Sequence, residues 1–151
     1  MAVVLRRARA DEIEAVIAVI VAEGMPAMEL ERWIEQFWVL DDGGTLLGCA
    51  GVENYGEAAV LRSVAVAQPL RGTGWGVRLV ERSLEYAKGL GAKRCYLFTM
   101  TAEDFFPRFG FERCSLEDFE PSVRECWQYR GNVEHEELRK MLIPMRATLS
   151  R

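Results

Sequence analysis

A glycine-rich loop stands between two segments of different periodicity in the middle of the chain. Residues 58–67 form a mostly apolar stretch that predicts a strand ending before Pro69. Residues 75–88 carry apolar side chains at helical intervals and predict the helix that follows. Three glycines alternate with other residues in the loop, namely Gly72, Gly74 and Gly76. The backbone N–H groups of such a loop face outward at the positive end of the helix, so the segment predicts an anion-binding site.

The side chains in and beside this loop favour a phosphate ligand. Arg71 adds a mobile positive charge and Thr73 a hydroxyl donor, both suited to a pyrophosphate. A Walker loop ends in Gly-Lys-Ser/Thr, whereas Gly76 is followed by Val77, which disfavours a nucleoside triphosphatase. A dinucleotide fingerprint counted from Gly72 would need a glycine where Val77 stands. An ordinary turn is the remaining alternative.

The segments before the loop alternate between strand and helix patterns. They predict a strand over residues 3–7, helices over 10–24 and 27–36, and hairpin strands over 37–40 and 45–52 joined by a turn at 41–44. Asp11 stands where a helix cap is expected. A second turn at residues 54–56 leads into the strand before the loop, so three antiparallel strands are predicted in succession.

The segments after the loop are less regular. They predict a strand over residues 93–99, a short helix over 102–108, a strand over 109–114 and a helix over 117–129 that is interrupted near Pro121. Residues 138–146 suit a final strand, although 134–141 also suit a helix. The whole order predicts one mixed α/β (α+β) unit, and residues 1–151 are treated as a single domain.

Composition narrows the classes of partner. A chain of 151 residues, half of them hydrophobic, can bury one core. Its net charge of -4 gives no general attraction for nucleic acid. The N-terminal residues lack the pattern of a signal peptide and the first helix lacks the length of a membrane span, so a cytoplasmic protein with no membrane partner is expected. Four widely spaced cysteines and one histidine predict reduced thiols and no metal site.

The segment over residues 61–76 resembles the central motif of the Gcn5-related N-acetyltransferase (GNAT) family. The core of that motif is Gln/Arg-x-x-Gly-x-Gly/Ala, and Arg71, Gly74 and Gly76 match it position by position. The resemblance covers nearly the whole chain and includes residues 96–99 and 105–111. Within the family, the sequence of these segments is most similar to two branches, the arsenic-resistance N-acetyltransferases and the short glutamate or amino-acid N-acetyltransferases.

This resemblance implies a GNAT fold, in which a mixed, mostly antiparallel central sheet splays at a β-bulge and is flanked by helices. It implies acetyl-CoA as co-substrate, held by a backbone that pairs with the pantetheine arm and by the glycine-rich loop. The residues at those positions are Val64, Ala65, Val66, Arg71, Gly72, Thr73, Gly74, Trp75 and Gly76. Trp75 is expected to lie beneath the loop or beside the coenzyme.

Acetyl transfer to an amine also needs a proton acceptor and a proton donor. Glu53 is the candidate carboxylate, because it ends the strand beside the motif strand; a solvated glutamate at the hairpin end is the alternative. In many family members a tyrosine in the short helix before Gly-Phe protonates the thiolate. This chain has Phe106 at that position, and the resemblance implies that Phe106 lies beside the coenzyme. The departure puts tyrosine acid catalysis in doubt, and water or the product ammonium would then protonate the thiolate.

Substrate contacts are expected on the motif strand and near it. The resemblance implies that Arg62 binds a substrate carboxylate, while a structural ion pair is the alternative. Ser63, Tyr55 and Thr99 are candidate neighbours of the substrate, and each also suits a strand or turn. The favoured function is acetylation of a small, amino-acid-like amine. The alternatives are a non-catalytic acyl-CoA-binding regulatory module and a protein N-acetyltransferase. The apolar C-terminal end suggests a homodimer.

Overall fold

The computed structural model describes residues 2–149 and contains a mixed sheet. Its strands are β1 (Val3–Arg7), β2 (Phe37–Asp42), β3 (Thr45–Asn54), β4 (Ala58–Val66), β5 (Arg94–Thr99), β6 (Glu112–Arg113) and β7 (Ile143–Thr148). They pair in the order β1-β2-β3-β4-β5-β7-β6. The β4–β5 ladder is parallel, whereas the β1–β2, β2–β3, β5–β7 and β6–β7 ladders are antiparallel. This mostly antiparallel sheet with flanking helices confirms the predicted fold class.

Five α-helices accompany these strands in the described residues. They are α1 (Ile13–Ala22), α2 (Leu30–Trp33), α3 (Trp75–Gly89), α4 (Trp127–Glu134) and α5 (Glu136–Met141). The chain divides into two compact units, which are described separately. The first unit contains the residues up to Glu53 together with Leu61–Tyr86, and the second contains Asn54–Val60 and the residues after Tyr86.

The core of the first unit lies between β2, β3 and α3. Leu40, Ala50, Leu70 and Leu79 are its buried centre, and Val64, Val66 and Trp75 pack around them. In the β2–β3 ladder Phe37 lies opposite Gly51, and the register shifts between Leu40 and Asp41. A Cβ atom on Gly51 would lie 2.3 Å from Phe37 ring atoms, so only glycine leaves room for this ring.

A bulge in β4 precedes the glycine-rich loop. Ser63 has a φ of 55°, a left-handed conformation that non-glycine residues rarely adopt. The neighbouring hydrogen bonds show the extra residue. The Tyr55 N–H donates to the Ala58 carbonyl and the Ala67 N–H to the Leu47 carbonyl, both at 2.8 Å. These contacts span eight steps on β3 and nine on β4, so β4 carries one residue more than its partner.

The second unit contains a short parallel ladder and a longer antiparallel one. The parallel ladder holds three residue pairs, from Ala58↔Arg94 to Val60↔Tyr96. Beside it, β5 pairs with β7 along its whole length. Tyr96 and Phe119 lie in the core of this unit with ring centroids 4.6 Å apart, and the Tyr96 hydroxyl donates to Glu120 at 2.8 Å.

Several predicted elements differ from the observed ones, mainly in the second unit. The predicted short helix over 102–108 is observed only in its second half, as a 3-10 turn at Phe106–Phe109. The predicted strand over 109–114 shrinks to Glu112–Arg113. The predicted helix over 117–129 is replaced by two 3-10 turns before α4 begins at Trp127, because Pro121 opens the second turn. Both C-terminal alternatives are partly correct, because helix α5 is followed by strand β7.

Two differences fall in the first unit. The helix predicted over 27–36 is one α-helical turn followed by a 3-10 turn, and Glu29 before it adopts a left-handed φ of 58°. Asp11 does not cap the first helix as predicted. Glu12 stands at the N-cap position of α1 without a side-chain cap bond, and its carboxylate accepts a hydrogen bond from the Arg9 N–H at 2.8 Å within the 3-10 turn before the helix.

All four cysteines lie in the described residues as free thiols, and three of them are buried. Within residues 2–149 no group of three or more metal-ligating side chains comes together. None of the described helices combines the length and apolar character that a membrane span requires.

Candidate active site

The glycine-rich loop is open and takes a conformation that depends on glycine. Gly72 has a φ of 75° and Gly74 a φ of 90°, both in the left-handed region. A Cβ atom at either position would meet nothing within 4 Å, so the requirement is conformational and not a matter of space. Residues 71–74 are exposed. The loop is therefore open to solvent.

The start of α3 supplies unpaired amides next to this loop. The first helical hydrogen bond runs from the Arg78 N–H to the Gly74 carbonyl at 3.2 Å, which makes Gly74 the N-terminal cap. The N–H groups of Trp75, Gly76 and Val77 therefore have no partner within the helix. Together with the helix dipole, these donors form a site suited to a phosphate group.

The two polar side chains of the loop are held in place. Arg71 pairs with Glu23 at the end of α1, and its Nε donates to the Val66 carbonyl at 3.2 Å. The sequence predicted a mobile charge here, and this prediction is wrong, because the guanidinium is anchored by these two contacts. The Thr73 hydroxyl and N–H both donate to the Leu70 carbonyl, so this residue stabilises the turn.

Trp75 packs against the buried cluster of the first unit, and the guanidinium carbon of Arg78 lies 4.0 Å from the centroid of its ring. The ring therefore has a packing role at the start of α3.

Beyond the bulge, the side chains of β4 pack inward. Val64 and Val66 contact the core of the first unit, and Ala65 is buried. The β4–β5 ladder ends at Val60↔Tyr96. The backbone of residues 64–66 on the side away from β3 thus lies outside that ladder.

Glu53 and Arg62 form an ion pair in the interior of the first unit. Arg62 Nη1 lies 2.9 Å from Glu53 Oε2, and the two side chains are 3% and 0% exposed. The solvated glutamate considered from the sequence is therefore wrong. A buried charge is costly unless an opposite charge compensates it, and this pair supplies that compensation.

Three further groups surround this ion pair. Arg62 Nε donates to the Ser63 hydroxyl at 3.0 Å, and the Cys49 thiol donates to the Ser63 carbonyl at 3.3 Å. The guanidinium carbon of Arg62 lies 5.5 Å from the centre of the Phe37 ring. Burial raises the pKa of Cys49 to about 12, so this thiol stays protonated at neutral pH. The pair, the bulge and the Phe37 ring form one packed group.

Three predicted site residues belong to the second unit. Tyr55 is half-buried and packs against the core of that unit. The Thr99 hydroxyl accepts a hydrogen bond from the Ala102 N–H at 3.0 Å and stabilises a turn. The Phe106 ring is buried with its centroid 5.1 Å from that of Phe105. Each of these residues therefore makes a structural contact. A role in binding the substrate or the coenzyme stays a prediction.

Three residues shape the site through contacts that no local sequence pattern predicts. Glu23 contacts Arg71 across 48 positions, Phe37 contacts Arg62, and Cys49 supports Ser63. Contacts between residues so far apart along the chain leave no local pattern. Only the pairing of Phe37 with Gly51 is visible in the sequence, because a glycine inside an otherwise apolar strand indicates a close approach of another group.

Comparison with known proteins agrees with this geometry. The family model described as acetyltransferase (GNAT) family matches residues 4–111. The chain belongs to this family. It is 32% identical over 108 residues to an amino-acid acetyltransferase of Ralstonia nicotianae, covering 69% of this chain and 24% of that protein. The chain spans about a quarter of the length of the curated relatives it matches.

Two solved structures share the fold. One is N-acetylglutamate synthase from Neisseria gonorrhoeae complexed with coenzyme A and N-acetyl-glutamate, with a TM-score of 0.80 and 23% identity. This similarity covers 100% of this chain and 36% of that chain. The other is Rv2747 from Mycobacterium tuberculosis in complex with CoA and NLQ, with a TM-score of 0.80 and 21% identity. It covers 97% of this chain and 99% of that one.

Proposed function

We propose that this chain is an acetyl-CoA-dependent N-acetyltransferase that acetylates the amine of a small, amino-acid-like substrate, with residues 1–151 acting as one catalytic domain. The observation that carries the proposal is the open loop after a bulged strand, followed by the first amides of α3, which have no partner within the helix. Membership of the GNAT family supports it.

The loop fits the diphosphate of a coenzyme. The N–H groups of Gly72, Gly74, Trp75, Gly76 and Val77 are the proposed hydrogen-bond donors, and the anchored Arg71 adds a positive charge beside them. Thr73 contributes by stabilising the turn, and Trp75 by packing at the start of α3. The backbone of Val64, Ala65 and Val66 would pair with the pantetheine arm, while Phe106 would flank the coenzyme. When bound, acetyl-CoA supplies an acetyl group activated as a thioester.

The chemical roles fall to residues around the bulge. The left-handed Ser63 turns the backbone there, and we assign the following Val64 N–H to polarising the thioester carbonyl. Glu53 is the proposed proton acceptor, acting through water. Arg62 compensates the charge of Glu53, which keeps a carboxylate acceptable at a buried position.

Substrate recognition is proposed for four residues, which are Arg62, Ser63, Tyr55 and Thr99. The relatives named amino-acid acetyltransferase, and the neighbour crystallised with N-acetyl-glutamate, support an amine that carries a carboxylate. Arg62 is the residue suited to such a group, and in this role its guanidinium would serve both Glu53 and the substrate.

A non-catalytic acyl-CoA-binding module is the second candidate. Phe106 stands where many family members have an acidic tyrosine, and Glu53 is buried. A protein that binds CoA and leaves amines unmodified would fit these two features. A cytoplasmic location and a homodimer remain predictions alongside either function.

Thiol release from acetyl-CoA tests the function directly. The protein is incubated with acetyl-CoA and a panel of free amino acids, including glutamate, and the free thiol is titrated. The proposal predicts release above the amine-free background for at least one carboxylate-bearing amine, and weaker release for its decarboxylated analogue. CoA binding without release on any amine would favour the non-catalytic module.

The Glu53–Arg62 pair is tested by a double-mutant cycle. Glu53→Gln is expected to lower kcat by about 10²–10⁴-fold, because the proton acceptor is lost. The single variants Glu53→Gln and Arg62→Met are each expected to lose roughly 3–5 kcal/mol of stability, since each leaves the other buried group of the pair unpaired.

Glu53→Gln combined with Arg62→Met separates the two effects. The double variant is expected to recover stability, measured by urea unfolding, but not kcat. Recovery of activity together with stability would remove Glu53 from the catalytic role.

A further inference from the structure

One face of α3 carries four charged side chains that contribute nothing to the core. Leu79, Val80, Ser83, Leu84 and Ala87 form the buried face of the helix. Arg78, Glu81, Arg82 and Glu85 lie on the opposite face, and all four are exposed. Together with Leu5 of β1 they line a surface cavity of about 150 Å³. We call these four residues the α3 charged face.

The charges of this face are not neutralised within the protomer. Among the ion pairs of residues 2–149, none includes a member of the α3 charged face. Opposite charges stand three residues apart in Arg78–Glu81 and Arg82–Glu85, but like charges stand four residues apart in Arg78–Arg82 and Glu81–Glu85. Such like-charged neighbours destabilise a helix by a few tenths of a kcal/mol.

The two arginines are nevertheless held in place. The guanidinium carbon of Arg78 lies 4.0 Å from the centre of the Trp75 ring, and that of Arg82 lies 5.1 Å from the centre of the Trp38 ring. Stacking on an indole restricts a guanidinium but leaves its N–H donors open at the edge. The face therefore presents two oriented donors beside two carboxylates.

The order of these charges inverts about the midpoint between Glu81 and Arg82. Glu81 and Arg82 flank this midpoint and have opposite charges. Arg78, three residues before Glu81, and Glu85, three residues after Arg82, also have opposite charges. In a two-fold symmetric pair of antiparallel helices, residues at equal distances from the axis face each other. Every arginine of one copy would then meet a glutamate of the other.

We propose that the α3 charged face is the interface of a homodimer and that a second copy of this chain is its occupant. The four residues carry two positive and two negative charges, and the exposed Lys88 follows at the end of the same helix face, so an anion, a nucleic acid or a partner of one sign would meet repulsion as well as attraction. In a second copy Lys88 would lie opposite Trp75, and each of the four charges would lie opposite a charge of the other sign. This proposal does not depend on acetyltransferase activity.

The antiparallel arrangement also keeps the glycine-rich loop open. A helix of 15 residues is about 22 Å long, so two helices crossing at their middles place their first residues at opposite ends of the pair. Each loop, directly before Trp75, would lie at the rim of the dimer. Coenzyme binding and dimerisation are therefore compatible.

Charge reversal provides the test, with sedimentation velocity over a range of protein concentrations as the measurement. The wild type is expected to be a dimer. Arg78→Glu with Arg82→Glu makes the face wholly acidic, and Glu81→Arg with Glu85→Arg makes it wholly basic. Each double variant is expected to weaken self-association by at least roughly 100-fold, because like charges then face each other. An equimolar mixture of the two is expected to form a 1:1 heterodimer.

A matched control reverses charges elsewhere. Glu136→Lys with Lys140→Glu exchanges an exposed pair on α5 and is expected to leave the dimer unchanged. Circular dichroism confirms that each variant is folded. A wild type that remains monomeric over the whole range overturns the proposal. So does an undiminished dimer in both reversed variants, or a mixture of folded variants that does not associate.

Discussion

Gly51 in β3 influences the buried ion pair indirectly, through the ring of Phe37. Its missing side chain leaves room for the Phe37 ring, and that ring lies beside the Arg62 guanidinium. The Arg62 contact with Glu53 thus depends on a residue that carries no functional group. Ser63 shows a related dependence, because its left-handed φ turns the backbone where Arg62 and Cys49 both contact it.

Gly51→Ala is expected to destabilise the protein by about 1–3 kcal/mol. The added methyl group would lie 2.3 Å from the Phe37 ring, so the ring or the strand must shift. Urea unfolding measures the change. Gly131→Ala in α4 is the control, because its Cβ meets nothing within 4 Å and alanine favours a helix. Equal stability of the two variants would contradict the packing described for Phe37.

At the scale of elements, the sequence predicted the first unit well and the second poorly. β1 and α3 have their predicted positions almost to the residue, because the pattern of apolar residues marks both elements and a glycine marks the end of α3. Residues 100–135 carry no such periodicity, and their 3-10 turns depend on contacts such as the one between Tyr96 and Glu120. In the site, the loop was predictable from its glycines, whereas the burial of Glu53 was not.

The end of α1 offers a test of the anchored Arg71. Glu23 pairs with this arginine, so its carboxylate competes with a diphosphate for the same guanidinium. Glu23→Gln is expected to tighten CoA binding a few-fold at low salt, about 0.5–1 kcal/mol, whereas Arg71→Ala weakens it. Isothermal titration with CoA measures both.

Glu14→Gln on the exposed side of α1 controls for the loss of one negative charge. Equal weakening by Glu23→Gln and Arg71→Ala would instead show that Glu23 positions the arginine.

At the scale of the molecule, acid stability depends on a network between β1, β2 and the first helix. Arg6 donates two hydrogen bonds to Glu12, at 3.0 and 2.7 Å, and one to Asp41 at 3.1 Å. The hydrogen bonds from Arg6 lower the pKa of Glu12 from 4.5 to about 2. The unfolded chain therefore binds a proton between these values that the folded chain does not.

The free energy of unfolding is expected to fall as the pH drops from about 4.5 to about 2. Glu12 accounts for up to about 3 kcal/mol of this loss, since its depressed pKa stabilises the fold only above that range. Urea unfolding between pH 7 and pH 2 measures it. Glu12→Gln is expected to be less stable at pH 7 and to flatten the acid decline, and an unchanged decline would contradict the assignment.

The central claim is that amides at the start of α3 bind the diphosphate of the coenzyme. Isothermal titration of CoA into the Gly74→Glu variant tests it, with Gly91→Glu as the control. Both glycines have a left-handed φ, 90° and 101°, and open space around them, so the two substitutions introduce similar strain and the same charge. Loss of CoA binding in Gly74→Glu alone is the predicted result. Unchanged affinity in a folded Gly74→Glu variant would contradict the claim.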